Sequence, residues 1–174
     1  MTERKPVETT NLDRYGSPAL EWSRARDKLV AALPTMAATT FLGTVGPNGR
    51  PHAAAIGALW LKGDVFFTSS PAARKARNLA ANPACTLSIK LDGIDLVLEG
   101  DAERVTDPAT LHEVAERYRS GGWPAEVEGD AFTAPYSAPS AGPPPWQLYR
   151  FRISTVFGVA TAEPYGATRW RFTD

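Results

Sequence analysis

The sequence predicts a mainly β protein, a small closed barrel of antiparallel strands with three added helices. Three observations carry this reading. Runs rich in apolar and β-branched residues alternate with short turn signals at Gly46-Pro-Asn-Gly49, Lys62-Gly-Asp64 and Asp92-Gly93. Three other segments space their apolar residues at helical period and are flanked by proline. No internal repeat at a fixed period is visible, and 174 residues suit one domain with a sizeable core. The expected organisation is an N-terminal extension over 1–16 and a single domain over 17–174, with a loop insertion at 121–145.

Taken in order, residues 1–16 are polar and read as a segment that wraps a surface or frays. Ser17-Pro18 reads as a helix start, with Trp22, Ala25, Leu29, Ala32 and Leu33 as the inward stripe and Pro34 as the stop. The period then changes. Residues 39–45 read as a strand, 50–60 as its return and 65–69 as a third strand. A helix follows from Ser70-Pro71 to Asn82-Pro83. Segments 84–91 and 94–105 form the next strand pair. Asp107-Pro108 opens a helix to about Ser120, with Leu111, Val114, Ala115 and Tyr118 inward. Residues 121–145 are rich in Pro, Gly, Ala and Ser, and a loop of that length in a compact domain points to a lid or rim. Segments 146–153 and 156–160 are the last strands.

Composition narrows the function classes. The formal net charge is zero, which gives no footprint for nucleic acid or a membrane surface. The N-terminus has no apolar targeting core and no stretch reaches membrane-spanning length, so a cytoplasmic protein is expected. The single cysteine, Cys85, excludes an intrachain disulfide and reads as a buried small residue. No His-x-x-x-His or paired-Cys spacing suggests a metal, and no Gly-x-Ser-x-Gly elbow suggests a serine hydrolase.

The stretch TSSPAARKARNLAANP, residues 68–83, is the most informative. Ala72, Ala76, Leu79 and Ala80 are expected inward, with Lys75 at the border of that face and Arg74 nearly opposite it. Cations in the first turn oppose the helix macrodipole, and a bound phosphate would compensate. The free N–H groups, the hydroxyls of Thr68, Ser69 and Ser70, and Lys75 could hold it; a solvated basic face is the other reading. The return strand is unusually small at Ala53, Ala54, Ala55, Gly57 and Ala58. Small side chains admit a flat ligand close to the backbone, and they equally suit a tight barrel wall or a dimer seam. His52, in the same strand, could face the barrel, a neighbouring chain or a ligand, whereas His112 reads as a surface residue. Together the helix start and the small-residue strand outline a phosphate end and a ring end for one cofactor.

These residues resemble the flavin-binding split-barrel family that contains pyridoxamine 5′-phosphate oxidase. The anchors are FLGTVGPNGRPHAAAIGALW, the RKARNLAANP stretch and the ending PPPWQLYRF…FG…GATRWRF. The ending, with Tyr118…GGWP…AGPPPW, is similar to the branch of flavin/deazaflavin oxidoreductases that commonly use coenzyme F420. The chain lacks the Arg-Leu-His-Asp-Arg-type ending of the vitamin-pathway oxidase. The resemblance implies an FMN-binding split β-barrel of antiparallel Greek-key type and a homodimer with cofactors in grooves between the barrels. It places Thr68, Ser69, Arg74 and Lys75 at the phosphate, and His52, Ala53, Ala54, Ala55, Leu59 and Trp60 along the ring system. Arg169 and Trp170 approach from the C-terminal end. The activity implied is hydride transfer from the reduced deazaflavin to an unsaturated or conjugated small molecule. The alternatives are an FMN-dependent oxidoreductase and a non-catalytic cofactor- or haem-binding protein. Tyr136, Tyr165 and solvent are all candidate proton donors.

Overall fold

A computed structural model describes residues 4–33, 38–136 and 142–173. Pro34 and the 137–141 part of the expected loop lie outside the described residues. The elements run β1 (Glu8–Asn11), α1 (Trp22–Ala32), β2 (Thr40–Val45), β3 (Pro51–Ile56), β4 (Leu59–Leu61), β5 (Asp64–Ser69) and α2 (Arg74–Ala81). They continue with β6 (Ala84–Leu91), β7 (Ile94–Val105), α3 (Pro108–Ser120), β8 (Glu126–Glu128), β9 (Ala131–Thr133), β10 (Gln147–Ala160) and β11 (Ala167–Arg171). The architecture is the antiparallel, mainly β one expected from the sequence, with three helices among the described residues.

Strand β10 is the spine. It pairs with β7 along its whole length, and its other edge is shared by β5 over Gln147–Phe151 and β11 over Thr155–Val159. The sheet continues from β7 through β6 and β2 to β3, while β4 pairs with β5. The two predicted strands at 146–153 and 156–160 are therefore one 14-residue strand, bent by a register shift between Ile153 and Thr155. Gly100 sits opposite that bulge, where a Cβ would overlap the Arg152 carbonyl, so only glycine fits.

The predicted return strand at 50–60 is instead two strands. Residues 51–56 pair with β2, and after Gly57-Ala58 the chain leaves that ladder to pair with β5. The β4–β5 turn is the two-residue hairpin Lys62-Gly63, both in the left-handed region (φ 54° and 92°), which matches the twist of the strands.

The N-terminal segment is tied into the sheet rather than only wrapping it: β1 adds to the edge at β11. Its sequence ETTN lacks apolar alternation, and Glu8 holds it with ion pairs to Arg169 (3.1 Å) and Arg171 (3.4 Å). Helix α1 begins at Trp22, later than Ser17-Pro18. The Ser17 amide donates to Asp13 Oδ1 (2.8 Å) and the Leu20 amide to Thr168 Oγ1 (2.7 Å), which holds 17–20 outside the helix and against β11. Helix α3 starts as expected, with Asp107 Oδ2 accepting the Thr110 amide (2.8 Å).

The core has two parts. The larger joins α1, α2 and the barrel interior, including Trp22, Leu29, Leu87, Phe151 and Trp170. The smaller joins α3 to Leu59, Phe66, Phe132 and Leu148. The 121–145 segment contributes to it through the β8–β9 hairpin, where Phe132 is fully buried and exchanges backbone hydrogen bonds with Trp146. That segment is thus a packed cap over α3 in its described part.

Candidate functional site

The Ser70-Pro71 signal forms a turn, not a helix start. The Ala73 amide donates to the Ser70 carbonyl (3.0 Å), and the Ser70 hydroxyl accepts the Ala72 amide (3.3 Å). The helix begins at Arg74, with Ala73 before it and no side-chain cap. Arg74 and Lys75 are therefore its first two residues, against the positive end of the dipole. Its last residue is Ala81, before Asn82-Pro83 as expected.

The three cations differ. Lys75 is half-buried, and burial pulls its ammonium below the ordinary lysine range. No carboxylate among the described residues pairs with it. Arg74 is exposed, and its guanidinium lies beside the β2–β3 turn, with Nη2 3.7 Å from where a Gly46 Cβ would stand. Arg77 donates to the Ala72 carbonyl (2.7 Å), fastening the turn before the helix. Ala76 and Leu79 are buried as expected, but Ala72 and Ala80 are exposed and Asn78 takes the remaining inward place. Periodicity of apolar residues passes over such a polar side chain.

Thr68 and Ser69 end β5 opposite Leu148 and Gln147. Ser69 is buried, and its hydroxyl donates to the Ser70 carbonyl (3.1 Å). The chain thus brings Thr68, Ser69, Arg74 and Lys75 to one junction between β5 and α2. Helix α2 rests on β2, and β2 pairs with β3, where His52 and Ala54 are half-buried and Ala53 and Ala55 exposed. Strand β3 has no strand partner on its outer edge among the described residues, so backbone groups there are open to a ligand or another chain.

The other predicted contacts lie on β4 and β11. Leu59 is buried in the smaller core, and Trp60 is half-buried against the larger. The Trp170 side chain is wholly buried, its ring edge-on to Trp22 at 5.5 Å between centroids. Arg169 donates to Glu8 and Thr10 of β1. Of Leu59 and Trp170, neither side chain has surface to offer a ligand in this chain.

An open depression of about 500 Å³ on the outer face of β2, β6 and β7 was not visible in the sequence; Gly43, Val45, Thr86, Glu99 and Asp101 line it. Its floor exists because Thr86 Oγ1 fills the place of a Gly43 side chain, 2.5 Å from where a Cβ would stand. Cys85 also borders it, with burial pushing its thiol up to about 12, which keeps it an unreactive thiol at neutral pH. Among the described residues no group of three His, Cys, Asp or Glu could hold a metal ion, and no helix is long and apolar enough to cross a membrane.

The mainly antiparallel barrel, with α2 leading from the end of β5 and β3 open at its edge, has the architecture of a split barrel. The sequence model of the pyridoxamine 5′-phosphate oxidase family matches residues 26–160, and the chain belongs to that family. The family binds flavin-type cofactors and includes oxidoreductases. Among solved structures, the chain is similar to a pyridoxamine 5′-phosphate oxidase-related, FMN-binding protein from Nostoc punctiforme. The identity is 18%, covering 89% of this chain and 93% of that one, with a TM-score of 0.61. It is also similar to a haem-binding protein from Mycobacterium smegmatis at 20% identity, covering 85% and 58%, with a TM-score of 0.58. A structure described as an F420 reductase aligns at 26% identity over 68% of this chain and 87% of that one, with a TM-score of 0.47. No curated protein is similar enough to match.

Proposed function

We propose that this chain is a coenzyme F420-dependent reductase that transfers a hydride to an unsaturated or conjugated small molecule, working as a homodimer with its cofactors between the barrels. Lys75 carries the reading. A half-buried ammonium without a carboxylate partner, at a helix N-terminus, is compensated by an anion. Lys75 and the Thr68 hydroxyl would hold a cofactor phosphate there, with buried Ser69 shaping the turn behind them, and the ring system would lie toward β3, along His52–Ala55. The bound cofactor supplies the hydride; the chain orients it against the acceptor and keeps competing water away.

The choice of deazaflavin over FMN rests on the corner beside this junction. Arg50 closes the β2–β3 turn, its carbonyl accepting the Gly46 amide (2.9 Å), and Arg74 stands over the same turn. Two exposed arginines at one corner suit a long anionic tail, which F420 has and FMN lacks. The test is a side-by-side titration of purified protein with both cofactors, followed by anaerobic turnover with the reduced deazaflavin. F420 is expected to bind at micromolar Kd or tighter, more strongly than FMN, with affinity falling as salt is added. Tight FMN binding without F420 binding transfers the reading to an FMN-dependent oxidoreductase; binding of neither removes it.

A further inference from the structure

Asn78 is the one polar side chain on the buried face of α2, and it is only 3% exposed. Its Nδ2 donates to Thr44 Oγ1 at 2.9 Å, and Thr44, 2% exposed, lies in β2. Three further facts give this pair more than a packing role. Thr44 is the register partner of His52, which directly precedes the small-residue run in β3. Asn78 follows Lys75 by three positions and Arg74 by four, so it lies one turn below both on the same helix. Ala76 and Leu79, the other inward residues of α2, are apolar and non-directional, and can slide or rotate by small amounts at little cost. A buried hydrogen bond between two side chains has one geometry, and losing either partner leaves the other unsatisfied.

We infer that Asn78 is a positioning residue for the proposed cofactor site: through Thr44 it fixes the rotation and height of α2, and hence of the Lys75 ammonium, relative to β3. The inference rests on the cofactor reading given above. Without the bond, the helix keeps its apolar contacts, but Lys75 is no longer held at a set distance from the strand that takes the ring. A rigid ligand with its anion and ring at fixed separation is sensitive to that distance, whereas global folding is much less so.

The experiment is a double-mutant cycle read by F420 and FMN titration, monitored by intrinsic tryptophan fluorescence quenching. All variants are measured well below their thermal midpoints. Asn78→Ala is expected to raise the Kd of the better-binding cofactor about tenfold in the otherwise unchanged protein. In a Lys75→Ala background the same substitution is expected to raise it less than threefold, because the group it positions is gone. Thr44→Val, which removes only the acceptor hydroxyl, is expected to reproduce the loss, and Thr44→Ser to bind like the unsubstituted protein. If Asn78→Ala fails to fold, the cycle is run with Thr44→Val. Equal losses with and without Lys75, or an unchanged Kd in Asn78→Ala and Thr44→Val, overturn the positioning role while leaving the cofactor reading intact. Failure of the unsubstituted protein to bind either cofactor overturns both.

Discussion

At the scale of single residues, the cost of a misplaced atom is set by what surrounds it. Lys75 is expected to be the strongest single contributor to cofactor binding. Lys75→Ala should weaken it at least tenfold, or about 1.4 kcal/mol, in a binding titration. Arg74→Ala should cost less, because that guanidinium is exposed and solvent screens it. The pH dependence has a definite sign. Burial lowers the Lys75 pKa in the free protein, so the folded chain binds fewer protons than the unfolded chain as pH approaches the ordinary lysine range. This group's contribution to the stability of the free protein therefore rises with pH through that window. Anion binding needs the charged form and weakens over the same window, and Lys75→Arg should abolish the alkaline loss. Titrations at a series of pH values separate the two. Gly158 makes a different point. A Cβ there would stand 2.7 Å from the Trp170 ring, which is wholly buried and edge-on to Trp22. Gly158→Ala should destabilise the fold by about 1–3 kcal/mol by overpacking, measured by denaturant unfolding.

At the scale of elements, local signals predict well where local physics decides. Strands β6 and β7 fall where alternation and the Asp92-Gly93 turn place them, and α3 carries its own cap and Pro108. The sequence misleads where one composition suits two local structures, or where a distant partner takes the backbone groups. Ser17-Pro18 has a helix-start composition, yet Asp13 and Thr168 take the amides of Ser17 and Leu20. Ser70-Pro71 suits both a cap and a β-turn, and local hydrogen bonds select the turn. Strand β1 lacks apolar alternation and depends on β11 and on the ion pairs of Glu8. Of the candidate site, the β5–α2 junction was legible because hydroxyls and cations adjoin in the chain. Asn78–Thr44 was not, because it spans 34 residues and interrupts an apolar face. The β8–β9 hairpin shows what lies inside a segment that reads as a loop. Phe132 fills the smaller core, and Arg104 clasps Asp130 at 2.6 Å. Phe132→Ala should cost about 3–5 kcal/mol in thermal or denaturant unfolding, a loss that an unpacked lid would not show.

At the scale of the whole molecule, the outer face of the sheet bears on assembly. Ala55, Phe41, Ser88, Val97 and Phe157 are successive register partners across β3, β2, β6, β7 and β10, and so form one row. Phe41 is 47% exposed and Val97 39%, and the row runs beside the depression at Gly43 and Thr86. Large apolar side chains aligned across several strands of an outer face, next to an open strand edge, are what a second barrel would cover. A stable interface needs about 800 Å² from each partner, which a sheet face of this breadth can supply. The proposed groove between barrels then borders β3, the strand that carries His52–Ala55, and dimerisation and cofactor binding become linked. Phe41→Lys should therefore shift the protein to monomer in light scattering and weaken cofactor binding together. Val30→Lys, at an exposed apolar position on α1 away from that row, should leave both unchanged. Because the linkage is thermodynamic, dilution of the unsubstituted protein below its dimer dissociation constant should weaken cofactor binding in the same way, and added cofactor should restore the dimer. A Phe41→Lys monomer that binds cofactor with undiminished affinity would separate the site from the interface and place the groove within one barrel.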